Sequence, residues 1–133
     1  MIAPLNTVLD DARSALDGFV AALNTHDVAA WADTMHFPHL RIHDGVSTVW
    51  HDREGYLSSG AAEMEALLGT GWRYSEWDEV DIVQSCDTQV HFATRFARRD
   101  AEGGRLSTLD TIYVVVLRDG RWGTVARLGF VRL

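Results

Sequence analysis

An α+β fold, with three helices interleaved with a short hairpin and followed by four long antiparallel strands, is what this chain predicts on three observations. Apolar residues recur at spacings of three and four through the first third. They alternate with polar residues through the last half, and turn-forming clusters separate those alternating runs. With 133 residues, 47% of them apolar, the chain can bury one real core but not two, so a single domain over residues 1–133 is expected. No repeat, low-complexity tract or linker interrupts it.

Taken in order, Val8, Leu9, Ala12, Leu16, Phe19, Val20 and Leu23 share one face of a long first helix, with Asn6 or Thr7 placed to cap its exposed amides. "THDVAAWADTM" reads as a short second helix capped by Asp27 or a neighbour, burying Val28, Trp31 and Met35, and Pro38 is expected to stop it. "LRI" then alternates as a strand. Asp44-Gly45 suits a tight turn needing positive φ, so "VSTVW" is its hairpin partner. A third helix starts near Asp52, presents Tyr56, Leu57, Met64, Leu67 and Leu68, tolerates Gly55 and Gly60 at some cost, and ends at "GTG". The runs "WRYSEWDEVDIV", "TQVHFATRFARR", "RLSTLDTIYVVVL" and "RWGTVARLGFVRL" read as strands joined by "SCD", "DAEGG" and "RDG".

Charge narrows the range of partners. Twelve basic against 19 acidic residues give a formal charge of −7, so the attraction that dominates phosphate-backbone binding is missing and nucleic acid is not expected. The longest apolar run, residues 112–117, falls far short of the roughly 20 residues a membrane helix needs. One cysteine, Cys86, cannot form an internal disulfide, and "MIAPLNTVLDDARSAL" lacks a basic patch followed by an apolar signal core. A cytoplasmic protein is expected. "EGG" and "GTG" lack the strand-to-helix setting of a phosphate loop, so no nucleotide or other cofactor is expected.

The layout, with "LNTHDVAAWADTM" before a strand, "WHDREGYL" opening the third helix and paired strands around "LRDGRWG", resembles the nuclear transport factor 2-like superfamily over nearly the whole chain. That superfamily includes the steroid Δ-isomerases and the SnoaL-type polyketide cyclases. The resemblance implies a curved antiparallel sheet wrapped around three N-terminal helices as a cone-shaped roll with a deep apolar pocket, and a homodimer. Compared with the steroid isomerases, the general-base position falls on His43 and the place of one oxyanion donor falls on Tyr113, which can still donate a hydrogen bond. The other donor position holds Phe19, a departure that removes a donor. The same comparison turns Leu109, Thr111, Val125, Arg127 and Gly129 toward the pocket, and strand parity agrees within 109–113 and within 125–129.

"HFPHLRIHDG" concentrates three histidines, and parity puts His39, Arg41 and His43 on one face of the strand with Leu40 and Ile42 on the other. His39 and His43 stand about 13 Å apart along an extended chain, too far to share one zinc at bonds of about 2 Å. With no HxH or HExxH pattern and no second cysteine, no metal site is expected. His36 and His39 are read as surface or hinge histidines bonded to nearby backbone.

His43 supports two readings. A pocket imidazole takes and returns a proton near neutrality, with Tyr113 holding a carbonyl oxygen and Arg127 a carboxylate or developing negative charge. Alternatively His43 is a satisfied buried histidine bonded to Asp110 or Tyr113. His51 and Asp52 read as a helix start, Asp110 as a cross-sheet or dimer-surface group, "EWDEVD" as a solvated strand face, and Arg95, Arg98 and Arg99 as a basic stretch at a hairpin tip. Cys86 has no activating partner in the sequence. Trp31, Trp50, Trp72, Trp77 and Trp122 read as core or interface aromatics.

Two functions of different class follow. One is a non-catalytic binding or dimerisation module whose cone holds a small apolar or carboxylate- or carbonyl-bearing molecule, or nothing. The alternative is a cofactor-independent isomerase, dehydratase or cyclase with His43 as base and Tyr113 and Arg127 stabilising an oxyanion.

Overall fold

The computed structural model describes residues 4–130, so the last three residues expected in the final strand, 131–133, lie outside the described residues. Helices α1 (Leu5–Asn24) and α2 (Val28–Ala32) precede the short strands β1 (Met35–His43) and β2 (Val46–Trp50), and helix α3 (Arg53–Gly69) comes after them. Four long strands follow: β3 (Tyr74–Cys86), β4 (Gln89–Arg99), β5 (Arg105–Arg118) and β6 (Arg121–Phe130). The order across the single curved sheet is β2-β1-β6-β5-β4-β3. All neighbours are antiparallel except β1 and β6, which run parallel. That one parallel pair joins the first strand of the chain to the last.

Helix α1 starts earlier than its polar residues suggest. Pro4 occupies the cap position, the Val8 amide donates to the Pro4 carbonyl at 3.1 Å, and Asn6 and Thr7 lie inside the helix instead of capping it. A proline at this boundary forfeits nothing, because the first amides of a helix have no internal partner. Val8, Ala12, Leu16 and Phe19 form its buried stripe. Removing each large side chain from water contributes about 1.5–3 kcal/mol before entropy is counted.

Asp27 caps α2 as expected, its Oδ1 accepting from the amides of Ala29 at 3.0 Å and Ala30 at 3.2 Å. Pro38 does not end that helix. α2 stops at Ala32, the Thr34 hydroxyl donates to the Trp31 carbonyl at 2.7 Å, and the chain is already extended at Met35. Pro38 instead sits inside β1, in the stretch where pairing with β6 breaks between Met35 and Leu40 and pairing with β2 has not begun. A residue without an N–H fits there because no ladder bond is demanded of it.

The β1–β2 turn places Asp44 (φ 50°) and Gly45 (φ 76°) in the left-handed region, the pairing that a two-residue hairpin requires. Asp52 caps α3 by accepting from the Gly55 amide at 2.8 Å. Gly60 has a packing reason: a Cβ there would fall 2.6 Å from Cγ1 of Val28, so α2 and α3 meet closely only because that side chain is missing. Between the helices and the concave face of the sheet lies the core, with Trp31, Tyr56, Trp72, Phe92 and Val115 buried. Asn24 ties the end of α1 to β3 twice, accepting from the Ser75 amide at 2.8 Å and donating to its carbonyl at 2.9 Å.

Candidate functional site

Inside the curve of the sheet, a cavity of about 160 Å³ remains between the helices and the central strands. Phe19 and Leu23 of α1, Trp31 of α2, and Glu63 and Leu67 of α3 form its helical wall. The sheet wall follows from register. Arg41, Arg127 and Tyr113 lie in one row across β1, β6 and β5, and His43, Gly129 and Thr111 lie in the next. Leu109 and Phe96 form a third row, and Arg98 of β4 extends the lining beyond it.

Arg127 is only 9% exposed, yet no carboxylate lies within ion-pair distance of it among the described residues. Neutral groups hold it. Its Nε donates to Nε2 of His39 at 3.1 Å and its Nη2 donates to the Tyr56 hydroxyl at 3.3 Å. Four rings surround the guanidinium, with Trp31 closest at 5.0 Å, then Trp50 at 5.7 Å, Phe19 at 5.8 Å and Tyr56 at 6.0 Å. Such ring faces stabilise a cation without neutralising it.

Burial, and after it the neighbouring Arg127 charge, push the His39 imidazole down to about 3, so the ring is neutral. The tautomer follows from its partners: Nδ1–H donates to the Thr124 carbonyl at 3.1 Å and the bare Nε2 accepts from Arg127. Burial pushes the Tyr56 phenol up to about 12 and the Tyr113 phenol likewise to about 12, with nearby arginines pulling both the other way. Tyr113 therefore stays a hydrogen-bond donor, and its ring is set by an edge contact with Phe19 at 5.4 Å. Arg41 is spoken for by Glu63, with Nη1 3.3 Å from Oε1. Burial lowers the Arg98 guanidinium below its ordinary value, and no carboxylate pairs with it among the described residues.

Of the residues singled out by sequence, His43, Tyr113, Arg127, Phe19, Leu109, Thr111 and Gly129 all line this cavity. Val125 is not among the lining residues. Val115 pairs with Thr124 and Val114 with Ala126, so Val125 is an extra residue in a bulge, and the inward parity that holds at Arg127 and Gly129 does not reach it. Gly129 leaves room for the neighbouring imidazole: a Cβ there would fall 2.7 Å from Nδ1 of His43.

Sequence reasoning misread or missed five polar residues, His39, His36, Arg98, Arg41 and Glu63. His39 is fully buried, not at a surface or hinge, and His36 is 6% exposed with its Nε2 donating to the Arg121 carbonyl at 2.8 Å. Arg98 is not part of a solvated hairpin tip. It shares the parity of Phe92, Thr94 and Phe96, a signal legible in "HFATRFAR", whereas Arg95 points outward to Asp110 at 3.0 Å. Arg41 and Glu63 complete the set. The acidic stretch of β3 is also more than a solvated face, since Asp78 takes both Nη atoms of Arg105 and Glu76 takes Arg99 Nε at 2.8 Å. Among the described residues, no three His, Cys, Asp or Glu side chains gather as a metal-ion set. No described helix is long and apolar enough to cross a membrane.

Solved structures share this fold at low identity. A protein of unknown function with a cystatin-like fold from Nostoc punctiforme superposes with a TM-score of 0.74 at 16% identity, over 99% of this chain and 96% of that one. A protein from Catenulispora acidiphila in complex with S-DNPA gives 0.71 at 16% identity, over 94% and 93%. A ketosteroid isomerase-like protein from Erwinia carotovora atroseptica gives 0.66 at 14% identity, over 92% and 94%. No curated protein matches the sequence. A family model described as NTF2-like protein (DUF6841) matches residues 10–128.

Proposed function

The chain belongs to the NTF2-like proteins described as DUF6841, and from that membership and its cavity we propose that it binds a small, largely apolar molecule bearing a carboxylate. The observation that carries this reading is Arg127: a buried guanidinium, ringed by aromatics and, among the described residues, hydrogen-bonded only to neutral groups, on the wall of a hollow. Burying a cation without a counter-charge is costly unless something supplies the charge. A ligand carboxylate would do so through charge-assisted hydrogen bonds, while Phe19, Leu23, Leu67 and Leu109 would take its apolar body. Size supports a modest ligand, since a cavity of about 150 Å³ accepts a benzene ring. The S-DNPA complex of the Catenulispora protein is a precedent for a bound small molecule in this fold. The reading includes one domain over residues 1–133, a cytoplasmic location and a homodimer.

Its test is a titration of the protein with benzoate and hexanoate, read by tryptophan fluorescence, because Trp31 and Trp50 flank the guanidinium. Saturable quenching that Arg127→Gln removes is the expected result. Identical traces for the wild type and that variant would overturn the reading.

A second reading rests on one further observation: His43 and Tyr113 line the same cavity as Arg127. In that case His43 would take a proton from the carbon next to a carbonyl whose oxygen is held by Tyr113. Exchange of such protons into deuterium oxide, lost in His43→Ala but kept in His51→Ala, is the result it requires.

A further inference from the structure

The cavity has more positive charge than one carboxylate would answer. Arg41, Arg98 and Arg127 line it with a single acid, Glu63, and that acid is committed to Arg41 at 3.3 Å. Two guanidiniums remain without a carboxylate among the described residues, in a chain whose formal charge is −7. Three arginines outside the cavity lining on β4 and β5 have each found one, Arg95 with Asp110, Arg99 with Glu76 and Arg105 with Asp78, while Arg118 at the end of β5 donates to the Phe37 carbonyl.

The two unanswered charges are separate centres. Arg98 is opposite Ser107 and Arg127 is opposite Tyr113, so their rows are six residue steps apart along β5, about 20 Å on a flat sheet. Curvature and two long side chains shorten that distance but do not merge the groups. Tyr113 lies between them, its phenol acted on by both guanidiniums. One centre is Arg127 in its ring of aromatics. The other is Arg98 of β4. The wall between carries Phe96, Leu109 and Phe19 beside the single hydroxyl of Thr111, and suits a largely methylene or aromatic spacer.

We propose that the ligand is a compact dianion of the dicarboxylate class, one carboxylate on Arg127 and the other on Arg98, with an apolar spacer passing Tyr113. This rests on the reading of Arg127 as a carboxylate anchor and adds the second anchor and the charge of the ligand. Arg98 then sets specificity, because a monocarboxylate leaves it unanswered while a dicarboxylate satisfies both ends.

Isothermal titration of the full chain with adipate, hexanoate and inorganic phosphate tests this. Adipate is expected to bind at least about tenfold more tightly than hexanoate, the worth of one added charge-assisted contact. Arg98→Gln should bring the two ligands to within about twofold by weakening adipate alone, and Arg98→Lys should restore part of the preference. Arg127→Gln should weaken both acids. Equal affinities in the wild type, or an Arg98→Gln loss shared by both acids, would overturn the dianion proposal while leaving the carboxylate anchor standing. Phosphate binding more tightly than adipate would overturn the dicarboxylate class. Failure of both acids to bind in any form would overturn the anchor and the proposal together.

Discussion

Arginines of two kinds face opposite sides of this sheet. On the outer face and edges, Arg95 and Arg105 sit in water and each meets a carboxylate, at 3.0 Å and 2.9 Å respectively. In the hollow, Arg127 is almost sealed from solvent and meets an imidazole, a phenol and four rings. Salt and water screen the first kind, so their pairing does little for stability. The second kind costs stability by itself and has been arranged at the expense of core volume. Under the proposed function, a ligand carboxylate would answer the buried Arg127 charge, which meets no carboxylate among the described residues.

Three measurements separate the buried arginine from the exposed ones. The largest effect belongs to His39. Its imidazole is held neutral to about 3 in the folded chain, against a value near 6.5 once unfolded. The unfolded state therefore binds a proton that the folded state refuses between those values, so the contribution is full above 6.5 and is lost as pH falls toward 3. Between pH 7.5 and 4.5 the wild type should lose on the order of 2–3 kcal/mol more than His39→Gln, a variant that keeps an acceptor for Arg127 and a donor for Thr124 but does not titrate. Urea unfolding at the two pH values measures it. Parallel pH dependence in the two proteins would mean that His39 is not sealed in the folded state.

Next is Arg127→Met. Affinity for hexanoate should fall by about 100-fold, near 2.7 kcal/mol, while unfolding free energy should change by no more than about 1.5 kcal/mol in either direction. A structural strut would behave oppositely, losing several kcal/mol of stability. Smallest is Arg105→Gln on the outer face. Its melting temperature should drop slightly at low salt and match the wild type at high salt, because the Arg105–Asp78 pair is exposed. A large, salt-independent drop would erase the distinction between the two kinds of arginine.

Much of this arrangement was readable beforehand. The helical stripe of Val8, Ala12, Leu16 and Phe19, the Asp27 and Asp52 caps and the Asp44-Gly45 turn are local, and local chemistry specifies each of them. Strand parity likewise put His43 on the face it occupies, and aligned Thr111 with Tyr113 and Arg127 with Gly129. Val125 escaped because a bulge inserts one residue and resets parity, an event decided by how β6 pairs with β5. Pro38 misled because its cost depends on whether a ladder bond is wanted at that point, and the interrupted pairing of β1 with β6 means that none is.

Periodicity, capping and turn residues, acting over a few positions, specify the elements, their order and the family resemblance. Long-range packing sets the rest: β1 lies parallel beside β6, His39 is sealed and gives its bare nitrogen to Arg127, and Arg98 turns into the hollow instead of toward water. Burial and charge pairing depend on what distant segments bring to the same place. No local pattern in the chain carries that information until the sheet has curved around its helices.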